Sequence, residues 1–172
     1  MTGWLRKLML TAHVVSSVGW LGAVGAFLAL AIAGVVSRDA QAVRAAYLGM
    51  RMTTWLVIVP LSIASPLTGI VQSLGTPRGL FRHYWVLIKF LITIPCTAIL
   101  LFAHMKPIDL LAQGAALNVW PAELRQLQIH SVVAAGAALV VLLVLTALSV
   151  YKPAGTTSYG ARSYQQTARS RA

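Results

Sequence analysis

Apolar residues in this chain do not alternate with polar ones; they run on. Four such runs cover about 8–36, 53–74, 84–103 and 129–150. Each approaches or exceeds the roughly 20 residues that carry an α-helix across a bilayer. The breaks between them hold helix-ending or charged residues: Ser37-Arg38-Asp39, Gly75-Thr76-Pro77, Lys106-Pro107 and Trp120-Pro121. This pattern predicts an all-α polytopic membrane protein, a bundle of four transmembrane helices. The first run follows Arg6 and Lys7 and continues to Val36. That is longer than the apolar core of a secretory signal, about 7–15 residues, so it reads as a span.

The finer punctuation adjusts these bounds. Asp39 is placed to cap a helix that leads into the second run through Tyr47, Met50 and Arg51. Pro60 and Pro66 should kink that helix, since each removes a backbone donor, and Pro95 lies inside the third run. Between Pro107 and Glu123, the residues Ile108, Leu110 and Leu111 suggest a short interfacial helix, with Trp120 at headgroup level. Pro121 suits the first turn of the last helix, which then starts outside the membrane. Residues 1–152 thus form one transmembrane domain. Residues 153–172 are a polar, basic tail that reads as disordered or lying on anionic headgroups.

Composition agrees: 58% of residues are hydrophobic and 10% charged, against about 25% charged in soluble domains. The net charge of +11 comes from residues flanking the apolar runs, not from a basic tract, so no nucleic-acid partner is expected. With the N-terminus inside, the inner flanks hold Arg6, Lys7, Arg78, Arg82, Lys152, Arg162, Arg169 and Arg171. The outer flanks hold Arg38, Arg44, Arg51, Lys106 and Arg125, together with the acids Asp39, Asp109 and Glu123. Eight against five favours an N-in, C-in orientation, as in a bacterial-type inner (plasma) membrane.

Ionisable groups inside apolar spans are where function is sought. His13 lies six residues past Lys7, and Lys89 seven past Arg82, so both fall about 9–10 Å beyond the inner flank. His104 and His130 share an outer level, and His83 stands at the mouth of the third span. Ser16, Ser17 and Trp20 follow His13, while Gly19, Gly22 and Gly25 form a small-residue stripe suited to helix packing. Ser62, Ser65, Gly69 and Gln72 line one face of the second span, with Gln72 reaching the His13 level. Trp85, Lys89, Thr93 and Cys96 share a face of the third. No span holds Asp or Glu, which disfavours a carboxylate proton relay or a sodium site. Hydrolase triads, CxxC and HExxH motifs and phosphate-cradling loops are absent, and Cys96 reads as an inert thiol. Imidazole in a helical bundle is suited to haem iron. Lys89 would ligate iron as a neutral amine or, charged, neutralise a haem carboxylate.

The stretch HVVSSVGWLGAV resembles the His-x6-Trp-x-Gly opening of a superfamily of small four-helix membrane proteins. The segment HYWVLIKFLITIPCTAILLFAHMKP resembles the third helix of one of its branches. The superfamily includes CopD-type copper-resistance proteins, the HemJ-type haem-dependent protoporphyrinogen oxidases, and predicted membrane proteins of unassigned function. In character the chain is most similar to that last group. The resemblance implies haem b held by the helix-one His and helix-three Lys, which fall on His13 and Lys89. The oxidases carry a Pro-Arg-Leu type segment where this chain has AFLALAIAG, and the chain has fewer outer Met and His than a copper importer.

Three readings are therefore carried forward. The first is a b-type haem protein in electron transfer or an oxidoreductase subunit, with His13, Lys89, Trp20 and Gln72 at the cofactor and a membrane redox partner. The second is a non-enzymatic scaffold or accessory subunit that packs against partners or further copies of itself. The third is copper handling at the outer face by His104, Met105 and His130. Across these readings His13, His104 and His130 are the candidate metal ligands.

Overall fold

The computed structural model describes residues 3–74, 84–117 and 122–151. Among them the chain is helical and holds no strand. Helix α1 spans Gly3–Val36. Helix α2 (Ala40–Thr53) passes through a π-helical turn, Thr54–Ile58, into α3 (Val59–Leu74). Helix α4 (Tyr84–Ile99) passes through a second π turn, Leu100–His104, into α5 (Met105–Leu117). Helix α6 spans Ala122–Tyr151. The chain therefore makes four rods, each long and apolar enough to cross a membrane. At about 1.5 Å per residue, the 34 residues of α1 rise about 51 Å, more than the roughly 30 Å of a hydrocarbon core.

Cross-contacts set the topology. Pairs such as His13 with Ser65 and Gly34 with Tyr47 run antiparallel between the first and second rods. So do Thr97 with Ser62, and Lys89 with Ser149 and His104 with His130. The rods go up, down, up and down. Helix α1 packs on α3 and α6, and so does α4, which puts α1 and α4 on a diagonal. The N-terminus of α1, the ends of α3 and α6 and the start of α4 share one end, here the basic end. The three acids, Asp39, Asp109 and Glu123, all belong to the other.

Local chemistry explains most of the boundaries. The Asp39 carboxylate accepts from Gln41 N at 3.0 Å and caps α2, as its sequence position predicts. Each π turn ends two or three residues before a proline, Pro60 or Pro107. Proline cannot donate to, and clashes with, the carbonyl four residues back, and a wider turn accommodates that. Pro66 sits within α3 and frees the Ser62 carbonyl, which accepts a hydrogen bond from Thr97 Oγ1 of α4 at 3.3 Å.

One expectation is revised. The third rod does not stop at Lys106-Pro107 to leave a separate interfacial helix. It continues as α5, whose Ile108 and Leu111 are buried against α2. The second rod begins at Ala40, behind the Asp39 cap, and the fourth is helical from Ala122, ahead of their apolar runs as the punctuation of the sequence predicts. The expectations for His83, Trp120, Pro121 and residues 153–172 lie outside the described residues, as does the Trp85 side chain.

The main apolar cluster joins Trp20, Val24, Phe27, Tyr47, Met50 and Leu111 in the half of the bundle nearer the acid-bearing end. There Arg51 Nε donates to Asp109 Oδ1 at 2.8 Å, and Trp55 Nε1 donates to the same oxygen at 3.3 Å. The half nearer the basic end is built around polar side chains.

Candidate functional site

His13 leaves α1 toward the polar stripe of α3. Its Nδ1 stands 3.0 Å from the Ser65 carbonyl oxygen and 3.3 Å from Thr68 Oγ1. A carbonyl oxygen only accepts, so Nδ1 carries the proton. The Thr68 hydroxyl donates to the Ala64 carbonyl at 2.6 Å, which leaves its oxygen free to accept from His13. In the neutral imidazole Nε2 then holds a lone pair, and no described residue bonds to it. Ser17 and Ser65 hydroxyls meet at 2.8 Å and join α1 to α3 beside the ring. Gly69 makes room for it: a Cβ there would stand 3.1 Å from His13 Cε1 and 3.5 Å from Phe90 Cζ of α4.

Lys89 is engaged with α6. Its Nζ donates to Ser149 Oγ at 2.5 Å, and Ser149 donates onward to the Leu145 carbonyl at 2.8 Å. The structure thus bonds His13 and Lys89 each to its neighbouring helix, not to the other. Gln72 is half-buried on α3, one turn beyond Thr68. Trp20 is seven residues past His13, on the same face of α1 and about 10 Å further along the axis. It is 5% exposed, and its Nε1–H has no acceptor among the described residues. A buried indole N–H usually finds one.

Toward the acid-bearing end, the His104 and His130 rings stack with centroids 5.4 Å apart and planes 17° from parallel. His104 Nδ1 donates to the Ile99 carbonyl at 3.2 Å across the π turn. Among the described residues, no three His, Cys, Asp or Glu side chains converge as a metal site would require. His13 and the His104–His130 pair occupy two separate places. The pair supplies two of the three or four protein ligands usual at copper and zinc centres.

Sequence reasoning located the Ser65 and Gly69 stripe but missed Thr68 and Ser149. Thr68, three residues after Ser65, was a legible extension of that face. Ser149 is a lone hydroxyl in an apolar helix end, and nothing in the sequence tied it to Lys89. Comparison with known protein families, with functionally described proteins and with solved structures finds no match to this chain.

Proposed function

We propose that this chain is an integral membrane protein of N-in, C-in orientation that binds a b-type haem at His13 and serves in electron transfer, alone or as an oxidoreductase subunit. The observation that carries the proposal is the state of the His13 ring. Its Nδ1–H is fixed by a backbone carbonyl, and its Nε2 lone pair is uncommitted among the described residues. That is how proteins orient an imidazole that ligates a metal. The donor set fits haem on one side: His13 would offer one nitrogen to the iron, and Trp20 adds, on the same face of α1, a buried donor that is unmet among the described residues. Lys89 is bonded to Ser149 of α6 and is assigned no bond to iron. Bound haem would supply a reversible one-electron centre. The residues here would hold its ring and fix the imidazole tautomer through the Ser65 carbonyl.

Haemin titration of the purified protein tests this. Wild type should develop a Soret band that saturates at a fixed stoichiometry, and His13→Ala should not. A Soret response unchanged in His13→Ala overturns the assignment.

A second reading rests on a different observation. His13, Ser17 and Lys89 all bond to neighbouring helices, which is what polar groups do when they only hold a membrane bundle together. It makes the chain a scaffold or accessory subunit. His13→Ala would then cost about 0.6 kcal/mol of stability, the usual size of one such bond, and remove no cofactor.

A further inference from the structure

The seam between α4 and α6 at the basic end has properties that haem binding at His13 does not use. Lys89 is half-buried on an apolar helix, and its ammonium lies against α6 at Ser149. Ser149 is two residues, about 3 Å of rise, from Tyr151 at the end of α6. Tyr84 opens α4 at the same end, five residues before Lys89. Both tyrosines are exposed, by 52% and 83% for Tyr84 and Tyr151. Exposed tyrosines at the ends of apolar helices mark headgroup level. The Lys89 stem therefore carries its ammonium along the seam to just below that level.

Among the described residues Ser149 takes one of the ammonium's three donors. The three Asp and Glu side chains of the chain belong to the opposite end and do not compensate it. Arg6 and Lys7, exposed on α1, add further positive charge at this end. Ile88 of α4 and Val150 of α6, adjacent in sequence to Lys89 and Ser149, present exposed apolar surface on which acyl chains can lie.

We propose that the α4–α6 seam at the basic end seats an anionic phospholipid, whose phosphate oxygens accept hydrogen bonds from Lys89 Nζ. The charge of this end selects an anionic headgroup over a zwitterionic one. The hydroxyl of Ser149 holds the ammonium in place, and the tyrosines flank the headgroup. The proposal stands whether or not His13 binds haem.

Native mass spectrometry of the protein released from detergent with added phosphatidylglycerol or phosphatidylcholine tests it. Wild type should retain phosphatidylglycerol in preference to phosphatidylcholine. Lys89→Gln should bind it about fivefold more weakly, the effect of one basic group at a membrane surface, and Lys89→Arg should keep the preference. Lys7→Gln removes the same charge from an exposed site and should change binding less. The seat is overturned by equal retention of the two lipids in wild type. It is also overturned by an equal loss in Lys7→Gln and Lys89→Gln, or by competition from millimolar inorganic phosphate that abolishes lipid retention. Should Lys89→Gln fail to fold, Lys89→Met in a wild-type-like thermal window, or loss of the preference in Ser149→Ala, decides between the same outcomes.

Discussion

Gly34 and Gly22 lie on the same helix and have opposite surroundings. A Cβ on Gly34 would stand 2.6 to 2.9 Å from ring atoms of Tyr47, itself 1% exposed in the main apolar cluster. A Cβ on Gly22 would meet nothing within 4 Å. Gly34→Ala should therefore cost about 1–3 kcal/mol through overpacking, read as a lower melting temperature in detergent. Gly22→Ala should be neutral or slightly stabilising, since it relieves the backbone entropy of glycine. Equal melting temperatures for the two variants would contradict the packing described. Gly69 belongs with Gly34: its Cβ would crowd His13 Cε1 at 3.1 Å, so Gly69→Ala should disturb the imidazole and weaken haemin binding while His13 is still present. Of the glycine stripe in the sequence, Gly19 is packed, with a Cβ there 3.1 Å from Leu61 Cδ1, while a Cβ on Gly22 or Gly25 would meet nothing within 4 Å among the described residues. Spacing along a helix shows which residues share a face, but not whether another helix covers that face.

At the scale of elements, the prolines decide what was legible. The four apolar runs and the Asp39 cap were readable, because hydropathy and capping are local properties. The continuation of the third rod through Pro107 was not. Proline ordinarily ends a helix, and only the π turn at Leu100–His104, braced by the His104 side chain on the Ile99 carbonyl, carries the helix past it. Pro66 offers a direct test of such compensation. Thr97 Oγ1 donates to the Ser62 carbonyl that Pro66 leaves free. Thr97→Val alone should cost about 0.6 kcal/mol, up to about 1.7. In a Pro66→Ala background, where a backbone N–H takes over the same carbonyl, the cost should shrink. A double-mutant cycle in thermal stability measures the coupling, and a cycle with none would contradict this account of the Pro66 site.

At the scale of the molecule, depth was readable from the sequence but pairing was not. Counting from flanking charges put His13 and Lys89 at one level. The bundle order puts α1 and α4 on a diagonal, so His13 bonds to α3 and Lys89 to α6. Likewise His104 and His130, placed at one level by counting, stack directly because α4 and α6 are neighbours. The charge asymmetry between the ends fixes the proposed orientation, with the basic end inside. In intact cells a membrane-impermeant maleimide should therefore label Ser37→Cys, and should label Gly3→Cys only after permeabilisation. The reverse pattern would contradict the orientation.

The central claim is that the imidazole of His13, fixed through Nδ1 by the Ser65 carbonyl, offers Nε2 to a haem inside this bundle. The reduced-minus-oxidised absorbance spectrum of the protein purified from haem-replete cells tests it most directly. The account predicts the α and Soret bands of a b-type haem in the wild type and their loss in His13→Ala protein that is otherwise folded. A folded wild type with no such bands, before or after haemin addition, would contradict it.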